Sequence, residues 1–246
     1  TEATVTASAS PAGGEKENAY AEGLTYDFWK PGSSGTHWLR ASFAAAYDGV
    51  SRSLVAQDTD IHGITISRDG RHLYAVGDLH NKVYAYTLAT PFDIATAVYD
   101  GAAKDLSVVA QDNTPLDLAV SADGRRIFVA GNTSGKVFQY NLAVAYDLGT
   151  AAYAGAAYDL TVGAAAGLTG VAVSSDGLHV YAAVAGDNKI ASYTLAVAND
   201  LSSATYDGAG SDINLAAIEA NVHGVTITDD GRRLLIIGFA TDTVFS

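Results

Sequence analysis

The chain has 246 residues, with 14 Lys and Arg against 27 Asp and Glu, which gives a formal net charge of −13. This acidity argues against nucleic acid as a partner, because phosphate contacts need clustered Lys and Arg, and against binding to an anionic membrane surface. The absence of Cys excludes disulfides, zinc fingers, iron–sulfur clusters and a thiol nucleophile, and no apolar run approaches the roughly 18 residues of a membrane-inserted span.

Residues 1–36 precede the repeated part of the chain, and we expect them to form an extended N-terminal arm. The stretch 7–14 is rich in Ala, Ser, Gly and Pro, which is typical of a flexible segment. Four aromatic residues follow it: Tyr20, Tyr26, Phe28 and Trp29. We interpret the arm as an anchor whose aromatic residues contact protein subunits of a larger assembly. The alternative is that these residues lie on the surface of the domain that follows.

Three sequence markers recur with one period after the arm. An Asp-Gly dipeptide begins at residues 69, 123, 176 and 230, at intervals of 54, 53 and 54. The stretch Val-Tyr-Ala-Tyr-Thr-Leu begins at Val83, and its copies begin at residues 137, 190 and 244. A Tyr-x-Gly marker begins at residues 47, 99, 153 and 206. A fixed period of this length indicates a repeat architecture.

Each repeat is predicted to contain four short strands. The first, residues 63–67, is β-branched and alternating, and the Asp-Gly that follows it is typical of a tight hairpin. The second, residues 73–76, is continuously apolar, as in a strand covered on both faces. The third begins at Val83, and the fourth is centred on Leu54, Leu106, Leu160 and Ile213. Four-stranded units repeated about an axis predict an all-β fold, a four-bladed β-propeller over residues 37–246.

The two ends of the chain are predicted to meet in one blade. Ser246 has the same repeat phase as Ser192, and residues 37–39 align with residues 86–88. We therefore expect an N-terminal strand, around residues 47–55, to complete the last blade and to remove its open edge. The alternative is that two chains exchange this strand and form an eight-bladed ring.

The unit at residues 121–131, Ser-Ala-Asp-Gly-Arg-Arg-Ile-Phe-Val-Ala-Gly, resembles the YVTN-type and lactonase-like propeller repeats. The resemblance covers all four copies. The longer pattern, Val-Tyr-x-Tyr-x-Leu followed by Phe-Asp-Ile-x-Thr-Ala, is similar to repeats in surface and phage virion proteins of marine bacteria. The resemblance implies the propeller fold, and it leaves open a lactone hydrolase, a quinoprotein or a binding scaffold. Four copies depart from the six to eight blades that are common in this superfamily.

Polar residues gather in the loops that are expected to meet at one end of the propeller axis. His62 and His223 share a repeat position, each seven residues before its Asp-Gly. As neutral imidazoles they could ligate a transition metal with neighbouring carboxylates. Asp58 and Asp60 could instead help to bind Ca²⁺, and ordinary loop hydrogen bonding is the alternative. The other candidate ligand-binding residues are Asp78, His80, Asp112, Asn113, Glu219 and Asn221.

The sequence lacks the usual catalytic motifs, and no catalytic residue is assigned. The segment 131–137 has three residues between its glycines and no Ser or Thr after Lys136, so it is not a phosphate-binding loop. We therefore predict a non-enzymatic structural or binding module of an extracellular, cell-surface or virion assembly, in contact with a surface glycan or a protein. The alternative is a lactonase-like or metal-dependent hydrolase with its site at the channel mouth.

Overall fold

The computed structural model describes residues 17–21, 24–29, 38–42, 49–161, 167–241 and 243–245. The chain divides into two units, Thr1–Val50 and Ser51–Ser246. In the first unit, three strands form an antiparallel sheet in the order β1 (Glu17–Ala21), β2 (Leu24–Trp29) and β3 (Trp38–Ser42). The division into an arm over residues 1–36 and a propeller over residues 37–246 stays a prediction.

The second unit folds into four antiparallel sheets, the blades, and confirms the predicted all-β, four-bladed propeller. Blade 1 contains β4 (Ile61–Ile66), β5 (His72–Gly77), β6 (Lys82–Leu88), β7 (Ala97–Tyr99) and β8 (Leu106–Ser107). Blade 2 contains β9 (Pro115–Val120), β10 (Arg126–Gly131), β11 (Lys136–Leu142), β12 (Ala151–Tyr153) and β13 (Leu160–Thr161). Blade 3 contains β14 (Leu168–Val173), β15 (His179–Val184), β16 (Lys189–Leu195), β17 (Ala204–Tyr206) and β18 (Ile213–Asn214). Blade 4 contains β19 (Val222–Ile227), β20 (Leu234–Gly238) and β21 (Thr243–Phe245).

Short 3₁₀ turns connect some of these strands. They are Ile94–Thr96, Ala102–Lys104, Leu148–Thr150, Ala156–Tyr158, Ala185–Asp187 and Leu201–Ser203. Within the described ranges, no helix has the length and apolar character needed to cross a membrane.

The N-terminal strand that was expected around residues 47–55 to complete blade 4 is not formed in the described residues. Residues 38–42 form β3, which pairs with β2. Residues 49–55 carry no strand, and residues 47 and 48 lie outside the described residues. A strand at residues 47–55 that paired with β21 would close a loop of nearly the whole chain, at a greater entropic cost than the local pairing of β2 with β3. The eight-bladed alternative stays a prediction.

The outer part of each complete blade differs from the single fourth strand that was predicted. In blade 1, β7 pairs with the end of β6 and β8 pairs with its beginning. Gly101 lies between the two short strands with φ of 97°, and a 3₁₀ turn follows it. A positive φ is unfavourable for a residue with a side chain, so the Tyr-x-Gly marker is the point where the outer strand breaks.

The predicted Asp-Gly hairpin is confirmed and is held by one repeated set of hydrogen bonds. In blade 1, Ser67 Oγ donates to Asp69 Oδ1 at 2.5 Å, and the same oxygen accepts from the N–H of Arg71 at 3.0 Å. Gly70 completes the turn with φ of 69°. The turn thereby connects the innermost strand to the second strand and fixes their register.

The hydrophobic core lies between adjacent blades. Val137 of β11 is 0% exposed in the cluster that joins blades 2 and 3, and its equivalents Val83 and Ile190 are buried in the clusters on either side. Full burial of such a side chain contributes about 1.5–3 kcal/mol. The fourth equivalent, Val244, is 63% exposed.

The face of blade 4 that carries Val244 is open. Leu235 and Ile237 are exposed on the same face, and Ile64 is exposed on the inner strand of blade 1. The buried clusters of the described residues join blade 1 to 2, 2 to 3 and 3 to 4. Blades 1 and 4 approach each other at Arg68 and Asp229, whose Nε and Oδ2 atoms lie 3.9 Å apart, and they share one cavity.

Candidate functional site

A cavity of about 600 Å³ lies where the inner strands of the four blades meet, which is a volume in the range of small-molecule sites. The same repeat position supplies His62, Leu116, Thr169 and His223 to its wall. The next position supplies Gly63, Asp117 and Gly224. The rest of the lining is mostly apolar: Ile64, Val225, Thr226, Leu235, Ile236, Ile237, Gly238, Phe239 and Val244.

The inner strands approach closely because glycine occupies the repeat position of Gly63. A Cβ atom on Gly63 would lie 2.7 Å from Cα and Oδ1 of Asp117, and a Cβ atom on Gly170 would lie 2.9 Å from Cα of Gly224. Such distances are shorter than van der Waals contact, so a side chain there would force the strands apart. At this repeat position the cavity wall therefore carries one side chain, that of Asp117.

Asp117 is a carboxylic acid in an unusual environment. Asp117 is half-buried on the cavity wall, and its burial raises its pKa to about 7. The backbone N–H groups of Val171 and Leu118 act in the opposite direction, and the N–H of Val171 donates to Oδ2 at 2.9 Å. A carboxyl group that is half ionised near neutral pH is suited to general acid–base catalysis.

Sequence reasoning missed Asp117, although a signal was present. The equivalent residues in the other repeats are Gly63, Gly170 and Gly224, so Asp117 is the one carboxylate among three glycines. Asp117 lies inside strand β9, whereas the predicted site residues lie in segments that were expected to be loops.

A second group of titratable residues lies beside the cavity on blade 1. His62 Nε2 lies 3.2 Å from Asp60 Oδ1 and 3.7 Å from Asp78 Oδ2, and one ligand atom from each of the three residues lies within 4.8 Å of the others. Burial raises the pKa of Asp78, and the neighbouring Asp60 carboxylate raises it further. These three residues were all predicted site residues, and the structure brings them together.

The Asp60–His62–Asp78 cluster has the donors of a divalent-metal site. Two carboxylates and one imidazole suit a borderline transition metal, and three protein donors leave positions open for water or substrate. The predicted metal pair was His62 with His223. In the structure His223 is not a member of the three-residue group.

His223 occupies a different part of the cavity wall. Its ring lies 5.5 Å from that of Phe239, centroid to centroid. Burial lowers the pKa of His223, and the nearby His62 lowers it further. His223 is therefore a neutral imidazole at neutral pH, able to donate one hydrogen bond and accept another.

Three of the predicted ligand carboxylates, those of Asp58, Asp112 and Glu219, are buried and accept hydrogen bonds from their own loops. Asp112 accepts from the N–H groups of Thr114 and Ser134, both at 2.7 Å. Glu219 accepts from the N–H of Asn221 at 2.7 Å and from that of Ala240 at 3.0 Å.

Asp58 makes the corresponding bonds in blade 1. It accepts from the N–H of Asp60 at 2.9 Å and from the N–H of His80 at 3.1 Å, and the ring of His80 lies 3.2 Å from it. Burial alone would raise the pKa of Asp58, but these donors outweigh it and lower the pKa. Asp58 therefore stays ionised and holds the loop that carries Asp60 and His62. Any ligand-binding role of Asp58, His80, Asp112 and Glu219 stays a prediction.

Each of these carboxylates faces a glycine at the end of the second strand. A Cβ atom on Gly131 would lie 2.5 Å from Oδ2 of Asp112, and Gly77 and Gly238 meet Asp58 and Glu219 in the same way. In the third repeat the sequence has Val184 at the glycine position and Ala165 at the carboxylate position. Carboxylate and glycine are thus replaced together, which identifies them as one structural unit.

The remaining predicted residues are Asn113 and the four aromatic residues of the first unit. Asn113 is exposed, and its Oδ1 accepts from Thr114 Oγ1 at 3.4 Å. Tyr20 lies in β1, and Tyr26, Phe28 and Trp29 lie in β2. Their partner-binding role stays a prediction.

Comparison with solved structures supports the fold. The chain is similar to a candidate 6-phosphogluconolactonase from Bacteroides uniformis, with 17% identity and a TM-score of 0.55 over 93% of this chain and 62% of that one. It is similar to a second candidate 6-phosphogluconolactonase, from Bacteroides fragilis, with 17% identity and a TM-score of 0.54 over 90% of this chain and 59% of that one. A protein from Lactobacillus plantarum matches with 18% identity and a TM-score of 0.54, over 93% and 62% of the two chains.

This chain therefore spans about three fifths of the length of the solved structures that it matches. At such low identity the likeness concerns the fold alone. No protein-family model matches the sequence. No curated protein matches it significantly.

Proposed function

We propose that the protein is a lactonase-like hydrolase that acts on a small cyclic ester in the central cavity. The observation that carries this proposal is Asp117, a carboxyl group with a pKa of about 7 on the wall of a cavity that His62 and His223 also line. The likeness to two candidate 6-phosphogluconolactonases is in keeping with this function.

In the proposed reaction Asp117 is the general base. Its carboxylate takes a proton from a water molecule as the water oxygen forms a bond to the lactone carbonyl carbon. The ring C–O bond then breaks, and the proton passes from Asp117 to the departing alkoxide, so the product is an open hydroxy acid. Neutral His223 donates a hydrogen bond to the carbonyl oxygen, where negative charge develops.

Asp60, His62 and Asp78 are proposed to hold a divalent cation at the mouth of this cavity. Such a cation, when bound, would supply a Lewis acid for the ester carbonyl. Asp58 positions the cluster by holding the N–H groups of Asp60 and His80.

Hydrolysis is tested with D-glucono-δ-lactone by following acid release, on protein treated with EDTA and after addition of Mn²⁺, Zn²⁺ or Ca²⁺. Asp117→Asn is expected to lower kcat by about 100-fold or more, because the amide cannot accept the proton. Asp207→Asn, an exposed change outside the cavity, is the matched control and should retain full activity. Equal activity of Asp117→Asn and the unchanged protein would overturn the proposal.

The metal site is tested separately by calorimetric titration with Mn²⁺. His62→Ala and Asp78→Asn are expected to weaken binding by about tenfold or more, because each removes one of three donors. Unchanged Mn²⁺ affinity in both variants would remove the metal from the proposal and leave Asp117 as its basis.

The non-enzymatic role that was predicted first stays a prediction. This role depends on three expectations: contacts made by the N-terminal residues, a glycan or protein partner, and an extracellular or virion location. None of the three has support among the described residues. Loss of incorporation into a native assembly on deletion of residues 1–36 would favour it.

A further inference from the structure

We infer that the cavity accepts an uncharged lactone and discriminates against its phosphorylated form. This inference rests on the proposed function and specifies the substrate class of that site. The expected substrate differs from the phosphorylated lactone that the names of two structural neighbours indicate.

The charged side chains at the cavity are acidic. Among the described lining residues Asp117 is the charged one, and the two others that can titrate are histidines. Asp60 and Asp78 lie directly beside His62. Carboxylates at such short range repel a phosphate dianion, and the repulsion is stronger in a partly enclosed cavity than at an open surface.

Five of the basic side chains are held away from the cavity. Three lysines pair with aspartates at the beginnings of the third strands: Lys82 with Asp105, Lys136 with Asp159 and Lys189 with Asp212. Arg71 and Arg125 donate to backbone carbonyl groups near the ends of the third strands, at 3.2 and 3.0 Å. Recognition of a phosphate normally uses Arg or Lys, and these side chains are already engaged.

Arg68 is the basic residue that comes closest to the inner strands in sequence, but it lies at their far end. It follows β4, six residues after His62, which corresponds to about 20 Å along an extended strand. There it faces Asp229 at 3.9 Å. A sugar ring held between His62 and Asp117 would therefore place a phosphate among carboxylates.

A bound metal would not reverse this preference. A divalent cation at the cluster would be balanced by the carboxylates of Asp60 and Asp78, and Asp117 would remain as uncompensated negative charge. The net charge of −13 acts in the same direction at longer range.

The test compares D-glucono-δ-lactone with 6-phospho-D-glucono-δ-lactone, which differ only in the phosphate. We expect kcat/KM to be about 100-fold higher for the uncharged lactone and the ratio to fall as salt is added, because salt screens the repulsion. Equal or higher kcat/KM for the phosphorylated lactone would overturn the inference.

Binding of the unreactive pair D-glucose and D-glucose 6-phosphate, measured by ligand-observed NMR, separates this inference from the proposed function. If neither lactone is hydrolysed but D-glucose binds more tightly than its phosphate, the hydrolase proposal fails and the charge preference holds. Tighter binding of the phosphate, or binding of neither sugar, would overturn the preference. Asp117→Asn should lower the ratio of the affinity for D-glucose to that for D-glucose 6-phosphate by about tenfold, because it removes a negative charge. The Asp207→Asn control should leave this ratio unchanged.

Discussion

Val137 and Asp117 belong to the same blade, and each has an equivalent in the other three repeats. At the interfaces between blades, Val83, Val137 and Ile190 keep one chemistry and are buried alike. On the cavity wall, the position of Asp117 is glycine in the other three copies. Positions that repeat unchanged hold the blades together, and a position that breaks the repeat is where this chain gains a reactive group.

The largest expected effect tests the interfaces. Phe128→Ala, in the core between blades 2 and 3, should lower the free energy of unfolding by about 3–5 kcal/mol, because it leaves a cavity at a fully buried position. The matched control is Phe239→Ala. Because Phe239 is 65% exposed, this change should lower the free energy of unfolding by less than about 1 kcal/mol. Urea unfolding measures both, and similar losses would show that the two regions do not differ in packing.

The next effect tests the buried carboxylate and its glycine as one unit. Gly131→Ala should lower the free energy of unfolding by about 2 kcal/mol, because the added methyl group would clash with the Asp112 carboxylate. Asp112→Ala should cost a similar amount, since it leaves two backbone N–H groups unpaired.

The double variant, which imitates the third repeat, should cost at least about 1 kcal/mol less than the sum of the two single changes. Strict additivity in urea unfolding would contradict the coupling.

A third effect concerns Asp117 and depends on pH. Because the pKa of Asp117 is raised in the folded protein to about 7, from 3.8, the folded state binds the proton more tightly. Its contribution to stability is present below about pH 4 and is lost as the pH rises to about 7. Asp117→Asn does not undergo this loss, so at about pH 8 it should be more stable than the unchanged protein by up to about 4 kcal/mol, and at about pH 4 the two should be equally stable.

Chemical unfolding at the two pH values checks this prediction. A stability difference that does not change with pH would mean that the carboxyl group is not desolvated.

The smallest effect uses two valines at one repeat position. Val244→Thr should change the free energy of unfolding by less than about 0.5 kcal/mol, because Val244 is exposed on the open face of blade 4. Val137→Thr should cost about 1–2 kcal/mol, because its hydroxyl group would be buried without a partner. A Val244→Thr cost equal to that of Val137→Thr in urea unfolding would mean that this face is covered in solution.

The features that were predictable from the sequence are those encoded within one repeat. The Asp-Gly hairpin, the second and third strands and the number of blades depend on local patterns that occur four times. The split outer strand was missed because the break at Gly101 depends on pairing with both ends of β6. The role of Asp112 was missed because its partner, Gly131, carries no side chain, and the joint replacement of the two positions by Ala165 and Val184 is seen only when the third repeat is compared with the others.

The site was partly predictable for the same reason. His62, Asp60 and Asp78 were predicted because they are polar residues in segments that were expected to be loops, where ligands are often bound. To predict Asp117 as a site residue, one would have to compare the four repeats at a position inside a strand.

Asp117 also gives the cavity a direction. At its repeat position the other three blades present glycine, so a guest on the axis meets a side chain there from one blade only. One carboxyl group opposite bare backbone makes a single rotation the preferred one. A chiral substrate would then present the same face in every turnover, and we expect its mirror image to be processed more slowly.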